Sequence, residues 1–289
     1  MKIFHKRYLN FFGGALGIAG IIFVAGRLYK YADQIHFDFL SATDVLILAV
    51  LIGIYGASNL LLAVAWRRVL ASLQIQVDNF WAVRIYGVSQ LAKYLPGNIF
   101  QFAGRQALGM AAGISGTPLL KSTAYEVLML ALASSLFGIL AIPLVWNAAS
   151  EMTMLLSFVA VMAFVGWALG RYFSHHLAAA WWLHSSFLAI SGMVFGAALW
   201  VVSPQHHIPV SVATIGGAYI LAWLVGLLTP GAPAGVGVRE AVLLFFFTNI
   251  VPPGDMVLAV VIGRIVTVAG DLIFFALANM IQREIHEEY

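Results

Sequence analysis

Residues 172–238 read YFSHHLAAAWWLHSSFLAISGMVFGAALWVVSPQHHIPVSVATIGGAYILAWLVGLLTPGAPAGVGV. These 67 residues, between Arg171 and Arg239, contain no Asp, Glu, Lys or Arg. Two apolar runs fill most of the stretch, near 181–202 and 211–229, and Ser203-Pro204-Gln205-His206-His207 breaks them apart. Each run has the roughly 20 residues that a helix needs to cross a hydrocarbon core. A water-facing segment of this length would have nothing to keep it solvated, so the stretch reads as a pair of membrane spans.

The rest of the chain has the same character. Of 289 residues, 62% are hydrophobic and 9% charged, and the mean hydropathy is +0.94. A soluble domain carries about a quarter of its residues as charges. This composition excludes a cytosolic enzyme, a secreted domain and a disordered tail. The net charge of +3 is too small for a nucleic-acid footprint. With no cysteine there is no disulfide, thiolate nucleophile or thiolate metal site. Further apolar runs lie near 9–28, 43–64, 119–145, 152–170 and 256–280, with a weaker one at 77–95. Lys2, Lys6 and Arg7 precede the first run, and no small-x-small cleavage site follows it. The first span is therefore expected to be retained, with its N-terminus in the cytoplasm. Residues 1–289 read as one integral membrane domain.

The end of the charge-free stretch holds a motif that occurs twice. Residues 94–109 read YLPGNIFQFAGRQALG and residues 228–243 read LTPGAPAGVGVREAVL. In each, an arginine follows the proline of a Pro-Gly pair by nine residues: Pro96-Gly97 to Arg105, and Pro230-Gly231 to Arg239. Each motif follows an apolar segment and precedes a short apolar one, 98–112 or 236–250. A polar turn comes next, Ser115-Gly116-Thr117-Pro118 or Pro252-Pro253-Gly254-Asp255, and then a long apolar helix. Matched spacing, arginine and flanks predict an internal repeat over about 77–145 and 211–280. The short segments suit re-entrant arms. Interrupted helices at corresponding places in two halves point to a transporter's binding site.

Proline and glycine end the incoming helix, and the next begins with unpaired N–H groups and a positive dipole end. Two such starts, each with an arginine about two turns on, predict a positively biased cavity suited to an anionic headgroup. Glu126, Arg264 and Asp271 lie inside long apolar helices, where a charge costs about 2.5–3.5 kcal/mol on insertion scales and so pairs or marks a pathway. The expected pairs are Arg105 with Glu126, and Glu240 with Arg264. Arg239 lies about 100° around the helix from Glu240 and is left to meet the ligand. Arg264 and Asp271 are seven residues apart and share a face. Lys93 and Lys121 are expected to snorkel, Trp66-Arg67-Arg68 to anchor the end of a span, and Trp181, Trp182 and Trp200 to form an aromatic belt. The adjacent pairs His175-His176 and His206-His207 lack the spacing of a metal site, and no hydrolase, nucleotide-binding or dinucleotide-binding motif occurs. The residues thus predict no catalytic group, metal or cofactor.

The second motif, with its Pro-Gly, Gly and Arg-Glu, resembles the signature in the transmembrane (flippase) region of the lysylphosphatidylglycerol synthase/flippase family. The first motif, with Glu126 downstream, is similar to that family's earlier Pro-Gly, Arg and Glu element. The resemblance spans both halves and is sharp over about 30 residues. It implies lipid handling without the aminoacyltransferase domain, and it places Arg105, Glu126, Arg239, Glu240 and Arg264 at the family's charged positions. Pro233 is a departure that stiffens the second turn. The expected molecule is an all-α polytopic transmembrane bundle of about eight spans plus two re-entrant arms in a two-fold repeat. Its expected task is moving an anionic lipid across the cytoplasmic membrane, a polyprenyl-phosphate-linked sugar or a headgroup-modified phospholipid. The candidate site is Arg105, Arg239, Arg264, Glu126, Glu240, Asp271 and the Pro96-Gly97 and Pro230-Gly231 turns. Two other classes fit the same residues: an ion-coupled small-molecule transporter, and a non-catalytic subunit assisting a cell-envelope glycosyltransferase.

Overall fold

The computed structural model describes residues 41–95, 99–146, 148–203, 208–229, 237–248 and 250–287, with side chains as far as residue 281. The expected first span at 9–28 and the turn residues Pro96, Gly97, Pro230 and Gly231 lie outside the described residues. In chain order the elements are α1 (Ala42–Ser72), α2 (Asn79–Gln90) prolonged by a 3-10 turn (Leu91–Tyr94), and α3 (Phe100–Ala111). α4 (Gly116–Phe137) follows and tightens into a 3-10 stretch (Gly138–Leu144). Then come α5 (Glu151–Tyr172), α6 (His175–Val202), α7 (Val212–Leu228), α8 (Val238–Phe246) and α9 (Pro253–Glu287). No strand occurs among the described residues.

Short polar side chains set several helix starts by accepting first-turn N–H groups. Asp78 accepts from the amides of Phe80 and Trp81 at the start of α2, and Ser211 accepts from Thr214 at the start of α7. Ser41 and Asp44 form a reciprocal capping pair at α1.

Five helical segments are long and apolar enough to cross a membrane: 42–72, 116–144, 151–172, 175–202 and 253–281. Two of the expected spans come out short. Residues 77–95 give a 12-residue helix and a 3-10 turn, and 211–229 gives the 17-residue α7. The two motif segments form short helices, α3 with 12 residues and α8 with 9. α1 runs to Ser72, past the expected end at 64, and so carries Trp66 into the protein.

The bundle is apolar outside and polar at selected places inside. On α5, Met152, Leu156, Val159, Phe164 and Trp167 are all exposed. Large apolar side chains also lie exposed on α1 (Leu46, Val50) and α4 (Leu120, Leu128). Patches of this extent are not tolerated in water. Lipid solvates them. Inside, α1 packs along α6 and α9, α2 packs on α9, and α7 packs on the end of α4.

Small residues allow the closest crossings, as in membrane bundles where tight backbone approach replaces hydrophobic drive. A Cβ on Gly56 of α1 would lie 3.0 Å from the carbonyl oxygen of Gly270 in α9. A Cβ on Gly192 of α6 would lie 2.9 Å from the Cα of Gly216 in α7. Backbone cannot swing aside as a side chain can. Gly270→Val is therefore expected to cost about 1–3 kcal/mol through overpacking. Thermal unfolding in detergent should show it as a lowered midpoint, while Gly53→Ala, where a Cβ meets nothing within 4 Å, should leave the midpoint unchanged.

Candidate functional site

The first motif helix, α3, puts Arg105 against Glu126 of α4. Arg105 Nη1 lies 2.6 Å from Glu126 Oε2, and both side chains are buried, 2% and 1% exposed. The other carboxylate oxygen accepts from the Tyr86 hydroxyl of α2 at 2.9 Å. The guanidinium carbon stands 4.0 Å from the centroid of the Tyr86 ring, with the Trp66 and Phe102 rings at 5.4 and 5.5 Å. A cation held over aromatic faces gains the attraction of their quadrupoles, and most strongly where water is excluded. Trp66 stacks on Trp81 and donates to Ser122, one turn before Glu126 on the same face. His184 of α6 is fully buried within electrostatic reach of both members of the pair.

The second motif helix, α8, carries its charges the other way round. Here the carboxylate is on the short helix and the arginine on the long one. Arg264 donates to Glu240 Oε1 from Nε at 2.8 Å and approaches it with Nη2 at 2.7 Å. Glu240 Oε2 accepts from the Gly237 amide at 2.7 Å. Gly237 has φ +85°, a left-handed conformation that suits glycine. This pair is more open than the first, with Arg264 10% and Glu240 22% exposed. Arg239 turns to a different neighbour, as its angular offset requires. Its Nη1 lies 3.4 Å from the Tyr219 hydroxyl of α7, and its guanidinium carbon lies 5.6 Å from that ring.

A third charged cluster joins the two halves. Lys93 Nζ, at the end of the α2 segment, lies 2.7 Å from Asp271 Oδ2 of α9. The Tyr94 hydroxyl donates to the same oxygen. Arg264 and Asp271 do share a face of α9, two turns or about 10.5 Å apart along the axis, but they serve different partners. Tyr55 of α1 lies in electrostatic reach of Asp271, Arg239, Tyr219 and Tyr86, and so stands among the three clusters. Nearby, Gln90 of α2 donates to Asn59 of α1 at 3.0 Å.

No protein-family model and no curated protein matches the chain.

The structure thus brings together both expected pairs, Arg105 with Glu126 and Glu240 with Arg264. Three expectations need correction. Lys93 does not simply snorkel, because its ammonium meets a buried carboxylate. Trp66 is 1% exposed and Trp181 0%, so neither is a belt residue, whereas Trp182 and Trp200 remain exposed. His175-His176 lies in the first turn of α6, capped by Ser174, and not in a loop. The helix starts also differ from each other: no side chain caps α3 at Ile99, while Glu240 folds back on the start of α8. Tyr55, Tyr86, Tyr94, Tyr219 and His184 were not singled out by the sequence, since isolated aromatics in apolar runs look like core.

Proposed function

We propose that this protein moves an anionic lipid between the leaflets of the cytoplasmic membrane, with its N-terminus on the cytoplasmic side. A polyprenyl-phosphate-linked sugar or a headgroup-modified phospholipid is the favoured cargo. The observation that carries the reading is the set of buried cations, Arg105, Arg239 and Lys93, ringed by tyrosines inside a bundle with an apolar exterior. Buried charge is costly, and it is retained in membranes chiefly where a polar cargo passes. An apolar groove of about 430 Å³ opens between α7 and α8, lined by Leu221, Val225, Ala241, Val242, Phe245 and Phe246. It begins two residues beyond Arg239 on the same helix. That arrangement suits a lipid whose tail stays in the bilayer while its phosphate turns inward.

The two-fold repeat belongs to the same proposal, and reciprocal packing supports it. Gly87 of α2 fits against Phe274 and Ala278 of α9, and Gly217 of α7 fits against Phe137, Leu140 and Ala141 at the end of α4. Phe137 and Ala141 correspond to Phe274 and Ala278 at one constant spacing. Each half's shorter helix thus seats a glycine on the other half's long helix. At 1.5 Å per residue α3 and α8 are about 18 and 14 Å long, roughly half the hydrocarbon thickness or less, which suits re-entrant arms. Alternating access would proceed by one half rocking on the other.

Headgroup accessibility in proteoliposomes tests the reading. Vesicles with wild-type protein are expected to expose a labelled polyprenyl-phosphate sugar or an aminoacyl phospholipid faster than empty vesicles, and Arg239→Ala to remove the difference. Uptake of a soluble solute with no lipid movement would replace the lipid by a small molecule. Co-purification with a glycosyltransferase, and full activity of that enzyme with Arg239→Ala, would favour an accessory subunit.

A further inference from the structure

Two carboxylates lie fully buried at the polar centre, and they are held differently. Glu126 uses both oxygens, one on Arg105 and one on Tyr86. Asp271 takes both of its contacts, Lys93 and Tyr94, on Oδ2, and Oδ1 has no hydrogen-bond partner among the described residues. A buried oxygen left in this state is costly, and it is the place where a proton can bind. The counter-ions differ as well. Arg105 is sealed in at 2% exposure and held over three aromatic rings, whereas Lys93 is 20% exposed on a flexible stem. A lysine is a point charge that can leave one partner for another.

The surroundings of Asp271 leave the titration to this pair. α1 contributes Tyr55 and the 3-10 turn contributes Lys93 and Tyr94, while Arg239 of α8 acts on Tyr55 and Tyr94. α2 meets α9 at Gly87, against Phe274 and Ala278, and α6 meets it at Phe195, beside Gly263. These last contacts are not titratable.

We infer that Asp271 and Lys93 form a proton-for-phosphate exchange: Asp271 takes a proton on Oδ1, its ion pair with Lys93 breaks, and the Lys93 ammonium passes to a phosphate anion. The inference rests on the lipid-translocation reading and names its coupling ion. An O–H bond forms on Asp271 with a proton from water. Lys93 keeps its own protons throughout. The charge stays balanced, because the phosphate replaces the carboxylate at the ammonium. Either the carboxylate or the phosphate holds Lys93, so proton uptake and anion binding favour each other by the same factor. Movement of the Lys93–Tyr94 turn away from α9 would then start the rocking of the first half on the second.

The test is binding of a short-chain polyprenyl phosphate, with inorganic phosphate in parallel, to the full chain in nanodiscs across a pH series. One proton taken up per lipid means that affinity falls about tenfold per pH unit between the titration points of Asp271 in the free and bound states. Asp271→Asn should bind at every pH as wild type binds in acid, and Lys93→Met should bind weakly throughout. The wild-type protein also needs no variant: adding lipid at fixed pH should raise the infrared band of a protonated carboxyl. Lipid binding that is flat with pH, or that keeps its slope in Asp271→Asn, overturns the exchange and leaves the lipid reading standing. Binding of inorganic phosphate with the same slope, and not of the lipid, would keep the exchange and overturn the lipid as cargo. Binding of neither overturns both.

Discussion

Glu126→Gln is expected to remove most of the folded protein from the membrane. The substitution keeps an oxygen for the Tyr86 hydroxyl and leaves the Arg105 guanidinium buried without a counter-charge. Breaking one partner of a buried ion pair costs about 3–5 kcal/mol, a third or more of a typical total stability of roughly 5–15 kcal/mol. Removing both charges has a different outcome. Arg105→Met combined with Glu126→Gln keeps the tyrosine bond and discards both desolvation costs, so folding should return to near the wild-type level. Monodispersity and thermal unfolding in detergent measure the first expectation. Lipid movement by the double variant then separates structure from function. A folded, inactive double variant places the pair in the transport path, and a folded, active one reduces it to scaffolding. Reversing the charges, Arg105→Glu with Glu126→Arg, should rescue less well than neutralising them. It sets a carboxylate over the negative face of the Tyr86 ring, where the guanidinium carbon now lies 4.0 Å from the centroid.

That experiment is designed from a pairing legible in the sequence. Arg105 and Glu126 are 21 residues apart on consecutive segments, both apolar, so each charge had few candidates within reach. Glu240 and Arg264, 24 apart, were legible for the same reason. The Lys93–Asp271 contact was not. It joins residues 178 apart from opposite halves, and only the seating of α2 on α9 brings them together. Lysine near the end of an apolar segment also has a default explanation in snorkelling, which hides any specific partner. Trp66 was misread for a similar reason. A tryptophan before two arginines at the end of an apolar run has the composition of an interface anchor, but α1 continues to Ser72 and turns that face inward. The apolar character of the chain was plain from composition, because lipid-facing and core-facing positions are both apolar. For the same reason, periodicity could not tell the lipid-exposed α5 from the buried α6. Span length failed at 77–95, where polar Gln90 and Lys93 continue a segment whose α-helix ends after 12 residues.

The second half of the molecule should respond to the loss of its glutamate in the opposite way from the first. Glu240 ties two things together with one carboxylate: Oε1 holds Arg264 of α9 and Oε2 holds the Gly237 amide at the start of α8. Both members of this pair reach solvent more than the first pair does, so the charge left by Glu240→Ala can be hydrated. The folding cost is then mainly that of a lost helix-start bond, about 0.5–2 kcal/mol, and the protein should still be recovered folded. Transport should suffer far more. Without Glu240 the α8 start is no longer fastened to α9, and Arg239, one residue earlier on the same turn, loses its fixed approach to Tyr219. A loss of at least tenfold in lipid movement, about 1.4 kcal/mol in the barrier, is expected in proteoliposomes with protein matched for folded content. Glu240→Gln separates the two bonds. It keeps an acceptor for the Gly237 amide and gives up the charge facing Arg264. If the arm's attachment at its start is what matters, the glutamine variant recovers most of the activity. If the ion pair is what rearranges during transit, glutamine is as inactive as alanine, and the charge-inverted pairs of the two halves act as alternating latches.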